Sequence, residues 1–330
     1  MADGRSDASD AEALGLLEHL GLIAAGDRPK LTALIGGVSS DIWVVDDGSR
    51  TYVLKHAREQ LKVAADWHAP VDRGEAEAAW LAFVAEHVPG AAPTVLAYDE
   101  ETFAIALEFL DPAKFANWKT LLLSGTVDVA FAGAVGRSVG RIHAASAATP
   151  GLAEQFANQE LFEALRIEPY LQRTAAAVAE ASDAVNDVIA GLRATQVALV
   201  HGDMSPKNIL VGDRPVILDA ECATWGDPAF DAAFCLNHLV MKAIHLPDHR
   251  VALLDAAAAF MAAYLAEVNW EAPDAIEARI DRVLPALLLA RVAGASPAEY
   301  LTADDQAVAK RVAIESLNSG RRVIEILVGA

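Results

Sequence analysis

The sequence predicts an α+β protein of two lobes, the first rich in β-strand and the second mostly helical. Three observations carry the prediction. Short β-branched and aromatic runs, bounded by Gly, Asp and Ser turns, fill the chain up to residue 109. From residue 111 onward alanine and leucine dominate at helical spacing. That helical part is broken once, by a strand-turn-strand pattern within residues 199–219. Strands followed by helices, with one break at Asp111-Pro112, divide the chain into lobes of residues 1–110 and 111–330.

Residues 1–10 are small and acidic and are expected to fray. Leucines at helical spacing predict a helix over 11–25. Residues 31–35 and 42–45 read as strands around Gly36-Gly37-Val38-Ser39-Ser40, and Asp46-Asp47-Gly48-Ser49-Arg50 as a hairpin turn into a strand at 51–55. A helix is expected over 72–87 and strands at 94–98 and 103–109. In the helical part, 209–211 and 216–218 are aliphatic runs separated by Gly212-Asp213-Arg214-Pro215, a hairpin pattern. Ser296-Pro297-Ala298-Glu299 matches a capping box with Pro at the first helical position and predicts a helix start.

Composition narrows the function classes. A chain of 330 residues has room for a large core, and no apolar stretch of membrane-spanning length lacks charge. The first residues do not form a signal peptide, and Cys222 and Cys235 make no CxxC, so a reducing cytoplasm is expected. A net charge of −20 argues against nucleic acid or an anionic membrane as partner. Residues 1–112 hold 8 basic and 20 acidic side chains; the rest hold 18 and 26, so the helical lobe is the less acidic.

The most informative stretch is His201-Gly202-Asp203-Met204-Ser205-Pro206-Lys207-Asn208, with Asp219 after the second hairpin strand. It resembles the catalytic loop of protein kinases, a His-x-Asp with an Asn five residues after the Asp. If Val211 pairs with Val216, Asn208 falls opposite Asp219, with Cβ atoms about 5 Å apart, close enough to share one cation. An amide oxygen and a carboxylate are hard ligands suited to Mg²⁺. Asp203 would then face a hydroxyl attacking a γ-phosphate. The plainer reading is a buried hairpin with a polar loop, to which the placement of Asp219 is the counterweight.

The β-rich lobe supplies the remaining candidates. Gly36 and Gly37 would let backbone N–H groups approach phosphate oxygens, with Ser39 and Ser40 adding donors; a plain hairpin turn is the alternative. Lys55 ends an apolar run and shares a face with Val53, so it would meet nucleotide phosphates unless it snorkels to solvent. Its partner glutamate should come from the next helix, where Glu77, spaced with Trp80, Leu81 and Val84, is preferred over Glu75. Glu108 to Leu110 form the expected hinge, whose backbone would hold an adenine.

Taken together, His201–Asn208, Asp219-Ala220-Glu221 and Gly226-Asp227-Pro228-Ala229-Phe230-Asp231 resemble the aminoglycoside phosphotransferase and choline kinase family. The resemblance runs from about Leu31 to the C-terminal helices. It implies a protein-kinase-like fold and phosphorylation of a small-molecule hydroxyl with ATP and Mg²⁺. It also implies Asp203 as the catalytic residue, Asn208 and Asp219 as metal ligands, Glu221 as a second-metal carboxylate, and Asp231 as a structural residue bonding loop N–H groups. Val53 to Ala57, Leu61-Lys62-Val63, Trp67, Pro70, Asp72-Arg73 and Glu77 look like the matching stretch of methylthioribose kinases. The chain departs from those enzymes in keeping Asn208, and their sugar-binding arginines have only Arg291, Arg321 and Arg322 as candidate counterparts. The hydroxyl must reach Asp203 and the helical lobe, the less acidic part, must wall its pocket, so the acceptor is expected to be a small polyhydroxy or amino-alcohol metabolite rather than a strongly polycationic aminoglycoside. Two alternatives stand beside this reading, a catalytically silent nucleotide binder of the same fold and a true aminoglycoside kinase.

The remaining polar residues have structural explanations. His238, His245 and His249 lack the spacing and companions of a metal site. His143 is expected to be buried or to sit at a helix C-terminus, and Arg291, before Gly294, to complement a helix dipole.

Overall fold

The structure, a computed structural model, describes residues 7–34, 40–57 and 73–329. It opens with helix α1 (Asp7–His19), followed by β1 (Lys30–Ala33), β2 (Ser40–Asp46), β3 (Thr51–Ala57), α2 (Arg73–His87), β4 (Val95–Tyr98) and β5 (Ala104–Glu108). The five strands form an antiparallel sheet in the order β1-β2-β3-β5-β4. The first helix begins and ends earlier than the 11–25 expected. Gly21 adopts a left-handed φ of 67° and Leu22 N–H turns back to Leu17 C=O, which stops it; acidic residues are well tolerated in a first turn.

Strand alternation splits the sheet into two faces. Tyr52 and Leu54 on β3 lie across from Val45 and Trp43 on β2, and all four are fully buried in a small core shared with Leu16 and Leu17 of α1. The intervening Val53 and Lys55, with Ile42 and Val44 opposite, point the other way and line a cleft. Lys55 thus reaches the cleft because its neighbours Leu54 and Tyr52 are pinned behind it.

The rest of the chain is mostly helical. A two-residue strand β6 (Ala116–Asn117) leads into α3 (Trp118–Leu123) and α4 (Val129–Ala147), then the short helices α5 (Leu152–Gln155) and α6 (Gln159–Phe162). Wide π-helical turns run over Glu163–Gln172, before α7 (Arg173–Ala177) and α8 (Ser182–Ala194). Next come β7 (Ala198–Val200), β8 (Ile209–Val211), β9 (Pro215–Ile217) and β10 (Thr224–Gly226). The chain closes with α9 (Ala229–His245), α10 (Arg250–Leu265), α11 (Pro273–Ala293), α12 (Ala303–Ser319) and α13 (Val323–Val328). Helix α9 is buried on nearly every side at the centre of the main core. Among the described residues, no helix is long and apolar enough to cross a membrane.

Two expectations need correction here. Strands β8 and β9 pair as Val211 with Pro215, Leu210 with Val216 and Ile209 with Ile217, one residue out of the register expected. The loop is Gly212-Asp213-Arg214, three residues rather than four, because Pro215 belongs to the strand. Asn208 consequently lies across from Leu218, whose N–H donates to Asn208 C=O at 2.8 Å. The Ser296 capping box does not open a helix; the next one starts at Ala303, where Thr302 and Asp305 exchange the reciprocal capping bonds. Ser296 is occupied otherwise, its Oγ 2.9 Å from Arg291 Nη1.

Since Leu17 is fully buried against the sheet, Leu17→Ala is expected to lower stability by about 3 kcal/mol, read by urea unfolding. A loss below about 1 kcal/mol would show that α1 packs only loosely on the sheet.

Candidate functional site

The cleft between the sheet and the helical part is a cavity of about 800 Å³, within the usual range for small-molecule sites. Its walls bring together most residues singled out in the sequence: Ser40, Lys55, Glu77, Glu108, Leu110, Asp203, Asn208, Asp219 and Glu221. Gly36, Gly37 and Ser39 lie outside the described residues, as does Trp67.

Lys55 anchors the sheet side. Its Nζ lies 2.7 Å from Glu77 Oε2 and 2.5 Å from Asp219 Oδ1, so one ammonium joins β3, α2 and the segment after β9. Burial alone would lower its pKa, but Asp219 and Glu77 outweigh that and hold it above the ordinary lysine value. Burial pushes the Glu77 carboxyl up, against the pull of Lys55. Glu75 is exposed, as the helical spacing implies.

The 201–208 loop is fixed from beneath. The fully buried Asp231 carboxylate, at the start of α9, accepts from His201 N–H at 2.7 Å and Gly202 N–H at 2.9 Å. His143, buried within α4 rather than at its end, sits 3.2 Å from the same carboxylate and 3.0 Å from Tyr264 Oη. Gly202 has a left-handed φ of 77°, and a Cβ there would meet the Cys222 carbonyl oxygen at 2.7 Å, so both the turn and the close approach require glycine. His201 Nδ1 accepts the Asp203 N–H at 3.1 Å, which leaves Nε2 to donate to Leu218 C=O at 3.0 Å. Its ring meets Trp80 of α2 edge-on with centroids 5.0 Å apart, and burial keeps the imidazole neutral by lowering its pKa.

These contacts aim the loop's polar side chains into the cleft. Asn208 Nδ2 donates to Asp203 C=O at 3.0 Å, an orientation that leaves the amide oxygen as its outward acceptor. Asp219 has a φ of 68°, a left-handed conformation that Asp tolerates better than most residues. The register change removes direct opposition to Asn208, and the left-handed turn brings Asp219 to Lys55 instead.

Asp203 itself is 3.0 Å from Lys207 Nζ and 3.2 Å from Arg166 Nη2. Burial would raise its pKa, but these cations hold the carboxyl well below the usual carboxylate range. Sequence reading assigned no role to Arg166 or Lys207. Lys207, four residues after Asp203, carried a signal in its spacing; Arg166 sits in an ordinary-looking helical stretch and carried none. Glu221 lies beside Asp219 with its Oε2 3.2 Å from Arg73 Nε. Glu108 Oε1 accepts from Thr94 N–H, and Leu110 borders the cavity. Arg321 and Arg322 are exposed and pair with Glu315, Glu277 and Asp281, none of which lines the cavity. Among the described residues no group of three or more His, Cys, Asp or Glu side chains could hold a metal ion, so any cation here would rest on a smaller protein ligand set.

The phosphotransferase enzyme family model matches residues 30–276. The chain belongs to this family. A search among curated proteins gives no match. Among solved structures, a choline kinase from Cryptosporidium parvum Iowa II is 11% identical with a TM-score of 0.55, covering 94% of this chain and 97% of that one. Aminoglycoside phosphotransferase APH(4)-Ia is 16% identical with a TM-score of 0.52, covering 95% and 99%. A thermostable mutant of it, in ternary complex with AMP-PNP and hygromycin B, gives 16%, 0.51, 96% and 99%. At these identities the likeness shows the fold, which is the protein-kinase-like two-lobed one.

Removing the support under the 201–208 loop tests its weight. Asp231→Ala leaves two buried N–H groups unpaired and is expected to cost about 4 kcal/mol in urea unfolding. A cost under about 1 kcal/mol would mean the loop is held by other contacts.

Proposed function

We propose that this protein is an ATP-dependent phosphotransferase that moves the γ-phosphate to a hydroxyl of a small polar metabolite. The observation that carries the reading is the joint placement of Lys55, Asp203, Asn208 and Asp219 on one cavity, with Lys55 bridging Glu77 and Asp219. AMP-PNP held by a protein of the same fold supports a nucleotide in the cleft. The lobe boundary is proposed near residue 110, just after β5, so that the cavity lies where the two parts meet.

The donor set fits Mg²⁺. Asp219 would offer a carboxylate and Asn208 an amide oxygen, both hard ligands of the kind this ion takes. When bound, the ion would neutralise charge on the transferring phosphate. Lys55 would hold the α- and β-phosphates, with Glu77 fixing its direction. The backbone from Glu108 to Leu110 is proposed to receive the adenine. Glu221 is the weaker ligand candidate, because Arg73 already engages it.

Asp203 is proposed to accept a hydrogen bond from the acceptor hydroxyl and so align its oxygen with the phosphorus. With its pKa held low it is a poor base, so it takes the proton late, as the new O–P bond forms. Positioning and charge stabilisation supply most of the rate. Cys222 and Cys235 are free and buried, which suits the cytoplasmic location proposed for the protein.

Purified protein with Mg-ATP and a panel of hydroxyl acceptors, followed by ADP release, tests the reading. Asp203→Asn is expected to lower kcat about 10³-fold with nucleotide affinity nearly unchanged. The depressed pKa keeps Asp203 charged across the working range, so kcat should show no acidic limb from this residue above about pH 5. Equal losses in nucleotide binding and turnover would assign Asp203 to the nucleotide instead.

Metal dependence separates the two ligands. Asp219→Ala should abolish Mg²⁺-dependent tightening of ATP binding, and Asn208→Ala should weaken it less, since a neutral ligand contributes less attraction. Calorimetric titration with and without Mg²⁺ reads both, and a larger loss from Asn208→Ala would reverse the assignment.

A further inference from the structure

Beside Asp203, Arg166 brings a cation to the wall of the cleft. Arg166 and Tyr170 come from the π-helical stretch and Ser296 from the loop after α11, and all three line the cavity. Behind them lies Arg291, 9% exposed, whose Nη1 donates to Ser296 Oγ at 2.9 Å and Tyr170 Oη at 3.3 Å. Its Nε is buried without a partner, and no carboxylate pairs with its guanidinium among the described residues. The Arg166 and Arg291 guanidiniums sit 5.7 and 5.8 Å from the centroid of the Tyr170 ring, so one aromatic side chain carries both.

The surroundings offset this charge only in part, Glu299 acting on Arg291 and Glu221 on Arg166 through space. Asp203 is already shared between Arg166 and Lys207, and Lys119 is paired with Glu299. Lys242 of α9 is a further buried amine, over the Tyr300 ring at 5.3 Å, and donates to the His238 carbonyl at 3.3 Å. Burial, then the positive charge of Lys119, lowers its pKa to about 7, with Arg291 adding to the effect. In a chain of net charge −20, a buried cluster with cations in excess is the exception. Burying a guanidinium without a counter-charge is costly, and a ligand anion would remove that cost.

We propose that the acceptor carries an anionic group, a carboxylate or a phosphate, besides the hydroxyl that is phosphorylated, and that Arg291 determines this specificity, since the Arg166 nitrogens already engage Gly202 C=O, Leu165 C=O and Asp203. The inference rests on the phosphotransferase reading and narrows its substrate class. The planar guanidinium offers paired donors that match either oxyanion. Ser296 and Tyr170 line the cavity and hold Arg291 directly behind its wall, and Arg166 links that wall to Asp203, so an anion seated there and the reacting hydroxyl would be aligned together.

The test uses the full chain, Mg-ATP and acceptors in charge-matched pairs: glycerate against glycerol, and ribose 5-phosphate against ribose. Choline and kanamycin serve as cations. The anionic member is expected to have kcat/KM at least about 10-fold higher than its neutral partner, and the two pairs separate carboxylate from phosphate. Arg291→Gln should raise KM for the anionic acceptor about 30-fold with kcat nearly unchanged, and Arg291→Lys should restore part of it. Neutral or cationic acceptors turned over as well as anionic ones, or discrimination unchanged in Arg291→Gln, would overturn the inference.

Melting of the AMP-PNP complex with glycerate or inorganic phosphate gives a readout independent of turnover. If no acceptor in the panel reacts, an anion-dependent rise in Tm that Arg291→Gln abolishes supports the inference. No rise in the wild-type protein, or an equal rise in both, overturns it. Should Arg291→Gln not fold, Arg291→Met and Tyr170→Phe carry the same comparison. Failure to bind Mg-ATP at all overturns the phosphotransferase reading itself, whereas turnover confined to neutral acceptors overturns only the anionic specificity.

Discussion

One buried ammonium, Lys55 Nζ, holds the cleft in shape. It touches Glu77 from the helix above the sheet and Asp219 from the segment below, so three distant parts of the chain meet at one positive charge. Two carboxylates around one ammonium leave a surplus of negative charge, and burial makes that surplus expensive. Lys55 keeps Asp219 below its ordinary value, and burial drives Glu77 above its own. The proposed cation would sit at this imbalanced centre, and the proposed anion at the wall near Asp203 in the same cavity.

The loop at 201–208 depends on a different principle, the satisfaction of buried backbone donors. Asp231 takes two consecutive N–H groups, His201 takes a third and ties the loop to the end of the second hairpin strand, and Gly202 permits the tight approach to Cys222. None of these residues contacts the acceptor's proposed position. Their effect is to fix where the Asp203 and Asn208 side chains emerge.

Much of this was legible in the sequence because the signals are local. Alternation along β3 told which face Lys55 takes, helical spacing chose Glu77 over Glu75, and the spacing from His201 to Asn208 marked the loop. What was not legible depends on long-range contacts. The hairpin register turned on whether Pro215 belongs to the turn or the strand, and a one-residue difference moved Asn208 from Asp219 to Leu218. Ser296 fits a capping pattern as a word, but Arg291 takes its hydroxyl, and that competition appears only when α11 and the following loop are folded. Arg166 gave no signal, because its role comes from π-helical turns that bring it to Asp203, 37 positions later in the chain.

Strand β3 has a consequence for how such a protein can change over time. Its seven residues carry two independent messages in alternate letters, one to the core under α1 and one to the cleft. Drift at Tyr52 or Leu54 is judged by packing, and drift at Val53 or Lys55 by what occupies the cavity. A lineage could therefore retune the sheet side of the cleft without renegotiating the core, provided changes respect the parity of the strand. An insertion of one residue would swap the two messages at once, which makes length, more than composition, the conserved quantity to expect of this strand.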